Sequence, residues 1–565
     1  MRYFYVVPGS RRPRVRLPAG CFVQSGRVGA KNKWVAPGAD SRRTESLPKG
    51  HLLHDFVSRV AERRPEQPFL IQGEEERSYG DVEATSNRVA QTLIREGLKV
   101  GDRVALLSEN SPFYVEAYYG ILKAGGIVVA LNTAWDGSDL ASVLRSCSAR
   151  FLLGSSRFAQ VALKAASLET ELEAVILAGA DVGLDDLRQP LRGIMFDEVI
   201  ASVSSASVHV SLSDAHVASI VYTSGSTGVP QGATLSQANL CANVSSITEY
   251  LALSSEDRVL AVLPFYYVYG KSILNTHAAV GGTVVIENRF QYPSAALDTL
   301  ENQRCTGFSG VPSTFAILLN RSNFAKRTLP HLRYVTQAGG GMSPQLTQRL
   351  IEALPGKKIF VMYGATEASA RLAYLPPEAL PRKVGSIGKA IPGVELRVQR
   401  SDGSDVELGE VGEIIARGPN IMLGYWNDPV STAAALDERG YHTGDLARYD
   451  EEGFLFLEGR SKDFIKAGAH RISAREVEDA ISATGEIHEC AVIGAPDELL
   501  GERIIACVVP MIPQNFDPAV FKKGLKRHLP TYKIPREVLV LDELPKNESG
   551  KIMKKVLKAS YSSSH

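Results

Sequence analysis

The sequence predicts an α/β protein of at least two domains: a large amino-terminal domain built on parallel sheet and a compact α+β module of about a hundred residues at the carboxy-terminal end. Three observations carry this expectation. The 565 residues are 44% hydrophobic and 22% charged, a globular composition over a length too great for one core. From Tyr79 onward, amphipathic helical patterns alternate with short apolar runs, as parallel strands with covering helices require. After Gly459-Arg460 the alternation gives way to a short helix-strand-strand-helix-strand unit.

Taken in order, the first 50 residues form a basic leader with 11 Lys or Arg against Asp40 and Glu45, which leaves the remaining body net −8. The leader lacks an apolar secretory core and sustained periodicity, and reads as an unstructured extension or misplaced start, an organellar transit sequence, or a basic docking arm. Val82, Val89, Leu93 and Ile94 share a helical face ending near Gly97; Val104 to Leu107 reads as a strand, Tyr114 to Lys123 as a helix and Ile127 to Ala130 as the next strand. The run Val217 to Tyr222 has a buried-strand pattern, and Leu235 to Leu240 contains Ser236 as a helix cap. Further strands are expected near Val259 to Leu263, Thr283 to Ile286, Arg333 to Thr336 and Lys358 to Met362. From Ile391 to Arg417, Gly393, Gly403 and Gly409 punctuate β-rich runs, which predicts a small β-barrel-like subdomain. The terminal unit reads as helix Ala474 to Ala483, strands Ile487 to Ile493 and Arg503 to Val509, helix Pro518 to His528 and strand Val538 to Leu541.

Chemistry concentrates after the Val217 strand. Thr223, Ser224, Ser226 and Thr227 alternate with Gly225 and Gly228, placing hydroxyl donors beside glycines that let backbone N–H groups approach an anion. This is a phosphate cradle, though not a Walker A loop. The acidic body argues against nucleic-acid binding. Six scattered cysteines without a Cys-x-x-Cys pair suggest neither zinc nor a disulfide framework, so a reducing, cytoplasmic setting is expected. No apolar run reaches the ~20 residues of a membrane span.

The loop resembles the phosphate-binding signature of the adenylate-forming superfamily, which comprises acyl-CoA synthetases, luciferases and peptide-synthetase adenylation domains. Other signatures follow in that family's order between about Leu52 and Leu557: Leu263-Pro-Phe-Tyr-Tyr-Val-Tyr-Gly270, Met362-Tyr-Gly-Ala-Thr-Glu367, Gly412-Glu-Ile, Gly424-Tyr-Trp-Asn-Asp-Pro429, Tyr441-His-Thr-Gly-Asp445, Gly459-Arg-Ser-Lys-Asp463 and Leu544-Pro-Lys-Asn-Glu-Ser-Gly-Lys551. The resemblance implies an AMP-binding domain over 51–459, a hinge at 460–463 and a mobile domain over 464–565, with the first 50 residues outside.

It further implies that Thr223, Ser224, Gly225, Ser226, Thr227 and Gly228 hold the β- and γ-phosphates, while Glu367, beside Thr366, takes Mg²⁺. Tyr363 and Gly364 would flank the adenine, Gly339, Gly340 and Gly341 would let the nucleotide approach the backbone, and Asp445 with Arg460 would hold the ribose. Lys551 matches the catalytic lysine that bridges substrate carboxylate and α-phosphate. Lys462 matches the hinge, and Lys466, Gly468 and Ala469 the face presented for thioester formation. The sequence departs from the family at three places: Gln231 stands where Lys is usual, Tyr267 where a histidine is common, and Ala469 where glycine is usual.

By the same resemblance, Tyr267, Val268, Tyr269, Gly310, Val311 and Ala338 line an apolar or aromatic acyl pocket. Amino-acid-activating members carry an aspartate near the position of Val268; an unpaired ammonium there would suffer a desolvation cost of several kcal/mol. The expectation is therefore an enzyme of fatty-acid metabolism type that joins a fatty or aryl acid to CoA through an acyl-adenylate, with ATP and CoA as substrates. The alternatives are an acyl or peptidyl carrier protein as acceptor in trans, and a non-catalytic nucleotide-binding relative.

Overall fold

The computed structural model describes residues 52–168, 170–179, 184, 187, 190–223, 230–460, 463–467, 470–497, 500–546 and 552–564; the basic leader lies outside them. Among the described residues, eight strands form a first sheet in the order Gly424–Tyr425, Gln231–Ser236, Val217–Thr223, Ile127–Ala130, Arg103–Leu107, Ala149–Gly154, Ala174–Leu177 and Arg192–Met195. From Val217–Thr223 to Arg192–Met195 every neighbouring pair is parallel. Ile127–Ala130 and Ala174–Leu177 are buried along their whole length, which explains their unbroken apolar runs.

Gln231–Ser236 is a strand, antiparallel to Val217–Thr223 with Thr223 opposite Gln231. Gln231-Gly-Ala-Thr-Leu has weak strand character of its own; pairing on both sides, with Val217–Thr223 and Gly424–Tyr425, supplies the structure. Ser236 does cap the helix Gln237–Leu251, its hydroxyl accepting the Asn239 N–H while Asn239 returns a bond to the Ser236 N–H. Ile94, expected on an apolar face of the helix Tyr79–Arg95, is exposed.

The second sheet carries a parallel run in the order Lys358–Tyr363, Tyr334–Gln337, Gly307–Gly310, Arg258–Ala261, Thr283–Ile286 and Pro68–Gln72. Beyond Lys358–Tyr363 it continues as antiparallel strands, including Ser386–Ala390, Leu455–Arg460, Gly440–Tyr449, Gly412–Arg417 and Glu395–Gln399. The β-rich region expected over 391–417 thus extends to Arg460. After Arg258–Ala261 the chain adds Thr283–Ile286 on one side and Gly307–Gly310 on the other, and this reversal opens a crevice at the carboxyl ends of those strands.

Two buried helices connect the sheets. Tyr114, on Pro112–Lys123, donates its hydroxyl to the Phe265 carbonyl at 3.0 Å, and Tyr119 donates to Asn275 Oδ1 of Val268–Val280 at 3.0 Å. Their core draws on both sheets, with Val104, Leu106 and Val128 from one and Val259, Ala261 and Ile286 from the other.

From Phe464 a small domain forms, its sheet ordered His470–Ser473, Phe464–Ala467, Gly501–Pro510, Ile487–Asp497, with Glu537–Val540 parallel to Gly501–Pro510. Ile465, Ile472, Val477, Ile481, Val492 and Phe521 make one core, and Ile493, Ile505, Leu544 and Leu557 pack on the other face. The helix expected to reach His528 is α-helical over Pro518–Gly524 and tightens into a 3₁₀ turn, Leu525–Arg527. Among the described residues no helix is long and apolar enough to cross a membrane.

Candidate active site

Most of the described candidate residues stand at or just beyond the carboxyl ends of the parallel strands that end in Ala261, Gly310, Gln337 and Tyr363. Tyr363 ends the strand Lys358–Tyr363, and its hydroxyl donates to Asp445 Oδ2 at 2.6 Å. Asp445 lies directly opposite Arg460 in the antiparallel ladder, and Arg460 Nε reaches Asp445 Oδ1 at 3.0 Å. Both carboxylate oxygens therefore hold a donor already, leaving their remaining lone pairs for a ligand hydroxyl. Burial, reinforced by the Asp445 charge, holds the Tyr363 phenol well above its ordinary pKa, so it stays a donor throughout the working range of pH.

The approach to Asp445 is fixed by its neighbours. Gly444 takes a left-handed φ of 70° and its N–H donates to Glu413 Oε1 at 3.0 Å. Thr443 Oγ1 donates to the Ile414 carbonyl and accepts the Asp445 N–H. This gives the Gly412-Glu-Ile signature a physical role: Glu413 fastens the irregular step in the strand Gly440–Tyr449 that aims Asp445.

Glu367 sits on a short 3₁₀ turn, Thr366–Ala368. The two residues after it are left-handed without being glycine, Ser369 at φ 57° and Ala370 at φ 112°, a strain that must be held from outside. Asn420 holds it, its side-chain amide donating to the Ala368 and Arg371 carbonyls at 3.0 and 2.8 Å while its backbone carbonyl accepts the Ser369 hydroxyl. A Cβ on Gly364 would collide with the Ala370 carbonyl, so the Tyr363-Gly364 step admits no side chain. Glu367 Oε1 accepts the Tyr425 hydroxyl at 2.8 Å; among the described residues its Oε2 takes no hydrogen bond.

On the acyl side, Asn110 accepts the Phe265 N–H at 2.7 Å and donates to the Leu263 carbonyl at 2.9 Å, pinning the segment before Tyr267. Tyr267 immediately precedes the helix Val268–Val280, and its ring meets that of Tyr266 at 4.6 Å. Tyr269 bonds Thr336 Oγ1 at 2.8 Å and lies under the Arg371 guanidinium at 4.1 Å. Gly310 packs so tightly that a Cβ would come within 2.8 Å of Thr314, while Val311 and Ala338 are buried. The six expected lining residues bring no ionisable group other than phenols. Gly339 is left-handed at φ 86°, and the Gly340 carbonyl accepts Gln337 Nε2 at 2.8 Å. Gly341 meets Arg475 of the small domain.

Thr223 ends its strand opposite Gln231. Gln231 donates to Ser431 Oγ at 2.6 Å and approaches Asp428 Oδ2 at 3.4 Å, so it anchors the start of the helix Pro429–Ala435. Lys466 is exposed on Phe464–Ala467. Ser224, Gly225, Ser226, Thr227, Gly228, Lys462, Gly468, Ala469 and Lys551 lie outside the described residues. Sequence reasoning missed Asn110, Arg371, Asn420 and Tyr425; only Tyr425 carried a signal, inside the Gly424-Tyr-Trp-Asn-Asp-Pro429 signature.

The chain is 32% identical over 508 residues to the indoleacetate–CoA ligase of Aromatoleum aromaticum, covering 89% of this chain and 96% of that protein. It is 30% identical to the medium-chain fatty-acid–CoA ligase of Escherichia coli strain K12, covering 90% of each. Among solved structures, the anthranilate CoA ligase AuaEII in complex with anthranoyl-AMP superposes with a TM-score of 0.83 at 25% identity, covering 92% of this chain and 99% of that one. Residues 57–426 match the AMP-binding enzyme family and residues 476–551 the AMP-binding enzyme C-terminal domain. With both matches in order around a strand-end crevice of this build, the chain belongs to the AMP-binding enzyme family.

Proposed function

We propose that this AMP-forming CoA ligase activates a fatty or aryl monocarboxylic acid, with the residues above in the following roles. One observation carries the reading: the Tyr363–Asp445–Arg460 group and Glu367 converge at the strand ends beside a pocket whose expected lining has no ionisable partner for a substrate ammonium. ATP and the acid meet there, pyrophosphate leaves, and CoA displaces AMP from the acyl-adenylate.

Asp445 and Arg460 hold the ribose, Tyr363 flanks the base, Gly339 to Gly341 let the nucleotide approach the backbone, and the loop from Thr223 to Gly228 cradles the polyphosphate. Glu367 suits Mg²⁺, which is held by one or two carboxylates plus substrate phosphates rather than by a protein cage; its unengaged oxygen and the lack, among the described residues, of a metal-ligand cluster fit that mode. When bound, the ion offsets charge on the departing pyrophosphate. Lys551 bridges the carboxylate and the α-phosphate, so positioning and electrostatics supply the catalysis without a covalent enzyme intermediate. Residues 51–459 form the adenylating domain, and 464–565 turn about 460–463 to present Lys466, Gly468 and Ala469 for the second step. Cys147, Cys305, Cys490 and Cys507 are free thiols, which supports a reducing, cytoplasmic setting.

The test is pyrophosphate release across a panel of acids, with CoA present and absent. Fatty or aryl acids should support release and proteinogenic amino acids should not; robust turnover of an α-amino acid overturns the pocket assignment. Release without CoA consumption, with acyl transfer to a carrier protein, would replace CoA as acceptor.

A further inference from the structure

The small domain meets the large one at the expected nucleotide wall. Arg475, in the first turn of the helix Ala474–Ser482, faces Gly341: a Cβ placed on Gly341 would lie 3.4 Å from Cζ, 3.4 Å from Nη2 and 3.5 Å from Nη1. Near-equal distances to three atoms of one plane mean that the guanidinium lies face-on against the glycine. Two further contacts support this docking. Ser473 donates its hydroxyl to the Glu458 carbonyl at 2.5 Å, and His488 Nδ1 meets Asn320 Nδ2 at 3.3 Å, with Arg349 donating to Asn320 Oδ1 at 2.7 Å.

The charge of Arg475 is poorly compensated where it sits. Its ion-pair partner is Asp479, whose Oδ2 is 3.8 Å from Nε, beyond hydrogen-bond length. Burial pushes the Asp479 carboxyl above the usual carboxylate range, which weakens the pair further. Among the described residues Nη1 and Nη2 make no hydrogen bond. A planar cation with unspent donors is the form that recognises phosphate oxygens.

We infer that Arg475 is a nucleotide-binding residue contributed by the small domain: stacked on Gly341, its guanidinium attracts a phosphate of ATP and so couples ATP binding to docking of that domain. The inference rests on the assignment of Gly339 to Gly341 to the nucleotide. Charge rather than plane should decide the effect, because Gln keeps a flat end without a cation and Lys keeps a cation without the plane.

The test uses the full chain with Arg475→Gln and Arg475→Lys. Arg475→Gln should raise the KM for ATP in pyrophosphate exchange by about tenfold and change kcat by less than about threefold, as expected for one charge-assisted contact to the bound nucleotide. Arg475→Lys should return the KM to within about threefold of the parent, since it restores the cation. The KM for CoA, measured on supplied acyl-adenylate, should not move. Hydrogen exchange gives a readout independent of turnover: ATP should protect 338–343 in the parent, and less so in Arg475→Gln at the same subsaturating ATP. An unchanged ATP KM, a Lys variant as poor as Gln, or a rise confined to CoA overturns the inference. If ATP fails to protect 338–343 in the parent, the premise about the glycine wall falls and takes the inference with it, a result distinct from any failure of Arg475.

Discussion

Tyr425→Phe deletes one oxygen and with it the 2.8 Å bond that fixes Glu367 Oε1. The phenol is partly buried, and burial followed by the Glu367 charge drives its pKa far above the ordinary value, so the hydroxyl donates at every working pH. A hydrogen bond to a charged acceptor contributes ~1.5–3 kcal/mol. Partial exposure of both groups places this one near the lower end, about 1–2 kcal/mol, or roughly 5- to 30-fold in kcat/KM for ATP. Phenylalanine fills the same volume and Glu367 keeps access to water, so stability should hardly change. The loss should be greatest where Mg²⁺ is scarce, because an unfastened Glu367 must be ordered by the ion itself. The assay is pyrophosphate exchange against free Mg²⁺ at fixed ATP, with a thermal melt beside it. A kcat/KM unchanged at low Mg²⁺ would refute the role of Glu367 as the metal carboxylate held by Tyr425; a loss that tracks a lowered melting temperature would make Tyr425 a packing residue instead.

Gly364→Ala should destabilise the fold by at least ~2 kcal/mol, because the new Cβ meets the Ala370 carbonyl and that segment is already strained; an unchanged denaturant midpoint would contradict the close approach. Lys271 is fully buried beside Ser219 Oγ at 3.3 Å, and burial lowers its ammonium from 10.5 to about 7. The unfolded chain holds that proton to higher pH than the native one, so the Lys271 contribution to stability rises with pH from about 7 to 10, while the buried thiols of Cys147, Cys305, Cys490 and Cys507, raised by burial to about 11 or 12, pull the other way in the upper part of that range. Glu116, raised by burial to about 7, acts with the opposite sign and only below that window. Lys271→Met should stabilise the protein at pH 7 by roughly 1–4 kcal/mol, a gain that shrinks towards pH 10; urea midpoints of parent and variant across pH 7–10 check it, and a difference that does not change with pH counts against it. Lys551→Ala should cost adenylation several kcal/mol of transition-state stabilisation while sparing thioester formation from supplied acyl-adenylate, and Lys462→Pro should do the reverse. Equal loss in both half-reactions for Lys551→Ala would end the two-conformation account.

The parallel strands were legible because burial on both faces leaves unbroken apolar runs, as in Ile127–Ala130 and Thr283–Ile286. Gln231–Ser236 was not, since Gly232 and Ala233 have no strand character apart from their partners on either side. The candidate site followed the same division. Residues that would touch ligand, such as Glu367, Asp445 and Arg460, stand in recognisable local signatures. Those that aim them do not: Asn110 grips Leu263 across 153 residues, and Asn420 holds Ala368 and Arg371 from 52 and 49 residues away. Glu413 shows the intermediate case, a signature residue whose purpose, fastening Gly444, appears only once two strands pair. Gln231 shows the converse, because a position judged by the charge it lacks proves to be bonded to Ser431.

The central claim is that one crevice makes an acyl-adenylate and then passes the acyl group to CoA. Mass spectrometry of a single turnover tests it most directly: enzyme in excess over ATP, an apolar acid, Mg²⁺, and CoA added only after a delay. Before CoA, acyl-AMP and pyrophosphate should form in equal amounts; afterwards, acyl-CoA and AMP should appear as the adenylate disappears. Formation of ADP and phosphate, or of acyl-CoA without prior acyl-AMP, would contradict it.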